Sequence, residues 1–490
     1  MSVAGALDNS SLMEHSDNVI ISNPPGPFDA TWDSLERYQV PEWYLDAKFG
    51  IFIHWGVYSV PAFGNEWYAR NMYVKDSPEF EHHVKTYGTQ DKFGYKDFIP
   101  SFTAEHFDAE AWADLFLAAG AKFVVPVAEH HDGFAMYPTK SNKWNALEMG
   151  PKRDVVGEIA KAVRKRDMIF GVSSHRIEHW WFMNGGRAYP SDVQDPAFAD
   201  FYGPATGGGF DKGENPPSEK FMDDWLARCV ELIDGYRPQL FWFDWWIEQP
   251  EMAPYVRRFA SYYYNKAYSW GQGVAINYKM ETFPEKAAVF DIERGQLTDI
   301  RSRFWQTDTA VATNSWSYVE GMKYREVSAL IHDLVDIVSK NGALLLNIGP
   351  KSDGTIPAED QAILREIGDW LKINGEAIYG TRPWKTFGEG PTPVASGQFT
   401  DGNRVPFTQE DVRFTQRDGN LYAVVLAATV DDVKILTLGS NLSLDPRTIS
   451  RIELLGGGAC SFDRRPEALM VKLPDGANRK HAIVLKVVFD

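Results

Sequence analysis

Between about residue 40 and residue 380, short apolar runs alternate with segments of helical periodicity, and this rhythm limits the possible folds more than any other feature of the chain. Short apolar runs bounded by turn residues suit strands buried on both faces, and a helix between successive strands makes them parallel. The clearest strands cover residues 49–54, 122–128, 168–173, 239–244, 274–277, 288–291 and 343–348. Between them the spacing predicts helices over 109–119, 154–166, 218–235, 253–267, 324–340 and 358–374. In the first of these, Asp108 can cap the start, Trp112, Leu115, Phe116 and Ala119 form one stripe, and Gly120 suits the stop. Seven or eight such units over roughly 340 residues fit a (β/α)8-like barrel better than a six-strand doubly wound sheet.

After Tyr379-Gly-Thr-Arg-Pro-Trp384 the pattern changes to short strands punctuated by Gly, Pro and Thr, over 411–415, 421–427, 432–437, 449–454, 468–473 and 482–488. This predicts an all-β sandwich of roughly 100 residues. The expected organisation is an N-terminal extension (1–39), a catalytic barrel (40–380) and a C-terminal sandwich (381–490). The stretch 190–217, rich in Gly, Pro and Asp, reads as an active-site loop after the third strand.

The formal charge of −17, with no basic cluster to offset it, argues against nucleic acid and anionic membrane surfaces as partners. Two cysteines, Cys229 and Cys460, cannot form a disulfide framework and read as buried thiols. No segment is apolar enough to span a membrane, and the first twenty residues lack the pattern of an export signal. The chain as written is expected in the cytoplasm, or in the periplasm or outside the cell if a leader was removed. The 17 Trp weakly favour a ligand with flat or apolar faces.

Ends of parallel strands converge on one mouth of such a barrel, and four of them carry chemically able groups. The run Gln239-Leu-Phe-Trp-Phe-Asp-Trp-Trp246 closes a buried strand with Asp244 among aromatic rings. Rings that stack on a sugar, beside a carboxylate able to attack or stabilise an oxocarbenium-like centre, are what glycoside chemistry requires; the alternative is an Asp that caps a following helix. The first strand delivers His54-Trp55-Gly56, followed by Glu66-Trp67. The second delivers the imidazole pair His130-His131, able to bind vicinal hydroxyls without a full buried charge. The third delivers His175, Glu178 and Trp180-Trp181, which could equally be aromatic packing around a buried ion pair.

Taken together, the stretches Lys48-Phe-Gly-Ile-Phe-Ile-His-Trp-Gly56, Asn65-Glu-Trp-Tyr-Ala-Arg-Asn-Met-Tyr73, His130-His-Asp-Gly-Phe134, Phe241-Trp-Phe-Asp244, Trp316-Ser-Tyr318 and Leu344-Leu-Leu-Asn-Ile-Gly-Pro350 resemble glycoside hydrolase family 29, the α-L-fucosidases. The resemblance implies a (β/α)8-like barrel with a C-terminal β-sandwich and retaining, exo-acting hydrolysis of terminal α-L-fucosyl residues from an oligosaccharide or glycoconjugate, without metal or cofactor. It implies Asp244 as nucleophile. For the acid/base, the segment Asp291-Ile-Glu-Arg-Gly-Gln-Leu297 offers Glu293; an ungapped match places Gln296 there instead, and Glu281 is the reserve. His54, Glu66, Trp67, His130, His131 and Trp316 resemble sugar-binding residues, while His175 and Glu178, in place of a Tyr often found after strand three, would rebuild part of the pocket or the leaving-group side.

Two rival readings use the same residues. A metal-dependent barrel hydrolase would gather His54, His130, His131 and Asp244 around zinc, although the first strand supplies one histidine where two are expected. A non-catalytic glycan-binding protein would keep the barrel without its acid.

Overall fold

The computed structural model describes residues 21–207, 215–429, 432–442 and 444–490. Eight parallel strands close into a barrel in sequence order: β1 (Phe49–Ile53), β2 (Phe123–Glu129), β3 (Ile169–Ser174), β4 (Leu240–Phe243), β5 (Ala275–Tyr278), β6 (Val289–Glu293), β7 (Trp305–Ala310) and β8 (Gly342–Ile348). β1 pairs with both β2 and β8, which removes the sheet edge. Interior packing fixes local sequence: a Cβ on Gly50 would stand 2.3 Å from the Phe123 ring, so β1 carries glycine where β2 carries its phenylalanine.

The expected helices form at Ala109–Ala118, Val155–Arg164, Glu219–Tyr236, Ala253–Trp270, Val327–Ser339 and Ala358–Asn374. Asp108 caps the first by accepting from the amides of Glu110 and Ala111 at 2.9 and 3.0 Å, and Gly120 follows it with φ +86°. No α-helix separates β5 from β6 or β6 from β7. Over that side lie the segment of Phe28, Trp32 and Tyr38, whose rings meet Tyr264 and Phe283.

β7 carries Gln306, Thr307, Asp308 and Thr309, all buried. Such a strand is unreadable as an apolar run, and its polar side chains find partners on neighbouring segments. Gln306 donates to Asp291 at 2.6 Å, and Thr307 Oγ1 donates to the carbonyl of Ile292 at 2.5 Å.

The C-terminal all-β unit is one antiparallel sheet of eight strands. They are β9 (Arg382–Glu389), β10 (Val412–Arg417), β11 (Asn420–Leu426), β12 (Asp432–Ile435), β13 (Ile449–Leu454), β14 (Gly458–Arg464), β15 (Leu469–Lys472) and β16 (Ala482–Phe489), in the order β12-β15-β14-β13-β16-β11-β10-β9. Residues from all eight strands share one core, from Trp384 through Phe414 and Val433 to Leu469, so the sheet curls on itself and supplies both layers. Its other face, through Tyr422, Val424, Leu426 and Val484, joins the core of the barrel. Cys229 and Cys460 are buried free thiols.

Candidate active site

A hollow of about 380 Å³ opens at the carboxyl ends of the barrel strands. Its wall is assembled strand by strand: His54 after β1, His130 and His131 after β2, His175 after β3, Asp244 after β4, Lys279 after β5, Glu293 at the end of β6 and Asp308 within β7. Glu66 and Trp67 come from the loop after β1, and Trp316 from the loop after β7. Trp242, Trp245 and Phe399 complete the lining.

Asp244 is buried and held from several sides. Oδ2 lies 3.1 Å from His175 Nδ1 and 3.5 Å from His131 Nε2, and Oδ1 accepts from the Trp245 amide at 2.9 Å. No α-helix begins at this point, so Asp244 is not a helix cap. Burial alone would raise its pKa, but the Lys279 ammonium 3.8 Å away and the hydrogen bond from His175 hold it well below the usual carboxylate range.

Glu293 experiences the opposite balance. Its burial, offset by Lys279 and reinforced by the negative charge of Asp308 and Asp244, lifts its pKa to about 7. Lys279 Nζ donates to Glu293 Oε2 at 2.6 Å and also lies 3.6 Å from Asp308 Oδ2. Asp244, Glu293 and Asp308 therefore share one ammonium, and Asp244 Oδ1 and Glu293 Oε2 can be no farther apart than their two contacts to Lys279 Nζ added together. Two titratable groups pushed to opposite protonation states in one hollow are the signature of an acid–nucleophile pair.

His54, His130 and His131 are kept neutral. His54 Nδ1 donates to Asn347 Oδ1 at 2.7 Å, and burial with nearby imidazoles pushes its pKa well down. Burial likewise depresses His130, and brings His131 to about 3, where Nδ1 donates to the His175 carbonyl at 3.0 Å. Neutral rings so oriented leave nitrogens free to exchange hydrogen bonds with hydroxyl groups. Glu66 accepts from the Trp316 amide at 3.0 Å and from Ser315 Oγ at 3.3 Å, and so fixes the loop that carries the Trp316 ring. The Arg294 guanidinium lies over that ring, 4.3 Å from its centre.

Four expectations are corrected. Glu178 does not reach the hollow: it is fully buried behind His131, 3.7 Å from Nδ1, with neither oxygen hydrogen-bonded among the described residues, and its pKa is raised well by burial and the neighbouring carboxylates. Glu281 is exposed and opens on a separate hollow with Trp32, Tyr278 and Phe290 outside the barrel wall. Gln296 turns toward Asp333, whose Oδ1 accepts from its Nε2 at 3.2 Å. No described residue of the stretch 190–217 lines the hollow; its Asp192 is engaged by Tyr73 at 2.8 Å and by Tyr202, and residues 208–214 lie outside the described residues.

Lys279, Asp308 and Phe399 escaped the sequence reading. Lys279 follows Asn277-Tyr278 with no motif around it, Asp308 sits in the polar strand, and Phe399 arrives from beyond β9. The faint available signal was a lysine one residue past a buried strand.

Donor atoms of His54, His130 and His175, and of His131, His175 and Asp244, each lie within 4.8 Å of one another. A dication on the second set would face the Lys279 ammonium, 3.8 Å from its carboxylate ligand, and be repelled by it.

The family model described as alpha-L-fucosidase matches residues 18–376. Human tissue α-L-fucosidase is 32% identical over 467 residues, covering 92% of this chain and 89% of the relative. Human plasma α-L-fucosidase is 35% identical over 380 residues, 75% of each chain. Among solved structures, Thermotoga maritima α-fucosidase in complex with fucose superposes with a TM-score of 0.73 at 30% identity, covering 94% of this chain and 100% of the other. With the closed barrel, the paired carboxylates and these matches together, the chain belongs to the α-L-fucosidase family and is a glycoside hydrolase.

Proposed function

We propose that this protein is a retaining, exo-acting α-L-fucosidase that releases terminal α-L-fucosyl residues from fucosylated oligosaccharides or glycoconjugates through a covalent glycosyl-aspartate. The observation that carries this reading is the polarised pair at the ends of β4 and β6, Asp244 held ionised and Glu293 lifted to about 7, around Lys279 at the end of the strand between them.

In the first step the Asp244 carboxylate attacks the anomeric carbon while Glu293 gives its proton to the glycosidic oxygen, which leaves with the bonding pair. The carboxylate that remains on Glu293 is met by the Lys279 ammonium 2.6 Å away, which lowers the cost of the proton transfer. Glu293 then removes a proton from water as it attacks the same carbon, Asp244 departs, and two inversions give net retention. A hollow of about 380 Å³ suits one sugar ring, which supports exo action. His54, His130 and His131 supply neutral partners for ring hydroxyls, and Trp242 and Trp316 supply apolar walls for the ring face and its methyl group. His175 contacts Asp244 and therefore orients the nucleophile as well as lining the hollow.

The test is Asp244→Ala on an aryl α-L-fucoside. Turnover should fall on the order of 10³-fold or more, and azide should restore product from the activated substrate. Near-normal turnover in this variant would end the proposal.

A further inference from the structure

Phe399 has no place in the chemistry just described, yet it lies on the rim of the same hollow with 59% of its surface exposed. It belongs to the connection between β9 and β10, so the C-terminal unit reaches back to the barrel mouth. Three backbone hydrogen bonds fasten that connection to the segment bearing the acid: the amides of Gly397, Phe399 and Asp401 donate to the carbonyls of Gln296, Glu293 and Arg294 at 2.9, 2.8 and 2.9 Å. Asp401 is buried, accepts from Thr309 Oγ1 at 2.7 Å and pairs with Arg325 at 2.5 Å. At Gly295 a Cβ would lie 1.9 Å from the Gly397 carbonyl oxygen, so glycine is required for this close approach.

Phe399 itself sits at φ +57°, and two residues close by share the left-handed backbone: Met280 at +56°, which lines the neighbouring hollow and touches Gln398, and Arg294 at +45°, next to Glu293. Each such non-glycine residue costs about 1 kcal/mol, and anchored strain around a cavity mouth is a feature of ligand-binding rims. Gln398 bridges the gap, its amide donating to the Met280 sulfur at 3.7 Å, a weak acceptor that a sugar hydroxyl can displace.

We infer that Phe399, with Gln398 and Met280, forms the subsite for the leaving group, and that it takes a hexopyranose ring whose apolar face stacks on the phenyl ring. The inference rests on the function proposed above. The acid must stand beside the glycosidic oxygen, hence on the side where the leaving sugar lies, and the Phe399 amide donates to the main-chain carbonyl of Glu293, the residue that bears the acid. The backbone that carries the ring is fastened before substrate arrives, so stacking is gained without ordering a loop.

The experiment compares kcat/KM for an α-L-fucosyl-hexopyranose disaccharide with that for α-L-fucosyl fluoride, whose leaving group is too small to touch the ring. In Phe399→Ala the disaccharide-to-fluoride ratio should fall about tenfold, and Phe399→Trp should return it toward the wild-type value. A partly misfolded variant lowers both rates and leaves the ratio intact, so an unchanged ratio overturns the subsite. Failure of the wild-type protein to hydrolyse fucosyl fluoride would instead overturn the fucosidase reading on which the subsite depends.

Discussion

Lys279 decides the protonation of the site at the scale of single residues. Its ammonium lowers the pKa of Asp244 and Glu293 alike, so active molecules have the first ionised and the second protonated, and kcat/KM should decline on the alkaline side near pH 7. Removing the cation raises both pKa values. In Lys279→Met both limbs of the pH profile should therefore move to higher pH, the alkaline one by about 1–3 units, along with a loss of rate; a profile that stays in place would show that Lys279 is not the controlling charge. Glu293→Ala should cost about 10²–10⁴-fold on a disaccharide and much less on an aryl fucoside whose phenolate leaves unaided. Comparable losses on both substrates would remove Glu293 as the acid. Asp244 and the histidines were legible in the sequence because each follows a readable apolar run. Lys279 and Asp308 were not, since neither stands in a recognisable motif. Glu178 was misjudged because sequence proximity to His175 says nothing about which side of the His131 ring it occupies.

At the scale of elements, polarity conceals structure. Six of the barrel strands and the major helices follow directly from periodicity, and β6 is found but cut short before Glu293. β7 is missed, as are β9 and β14, the last a Gly458-Ala-Cys-Ser-Phe-Asp-Arg464 run that alternates weakly and is half exposed. In β7 hydrogen bonds take the place of apolar contacts, from Gln306 to Asp291 and from Thr307 to the Ile292 carbonyl. Packing is stricter in β1, two strands away. Gly50→Ala should cost about 1–3 kcal/mol in denaturant unfolding because the new methyl meets the Phe123 ring, and pairing it with Phe123→Leu should recover most of the loss. An additive double variant would show that the ring is not the obstacle.

The barrel and the curled sheet meet across buried charge at the scale of the whole molecule. Asp336 on the helix Val327–Ser339 pairs with Arg413 of β10 at 2.5 Å and with Lys340 at 2.7 Å, all three buried. Truncation to Asp336→Ala strands two cations and should destabilise by about 3–5 kcal/mol, seen as a lower denaturant midpoint. A change below 1 kcal/mol would mean that water reaches this interface. The same docking carries Phe399 to the mouth, a link between units that sequence periodicity cannot express because the two partners are roughly 100 residues apart. No described helix is long and apolar enough to cross a membrane. All of the chemistry returns to one bond, between Asp244 and the anomeric carbon of the sugar. Incubation with a 2-deoxy-2-fluoro-α-L-fucosyl fluoride, followed by proteolysis and mass spectrometry, should find the fluorosugar attached to the peptide through Asp244. Attachment to another carboxylate, or turnover with inverted anomeric configuration and no adduct, would contradict the account.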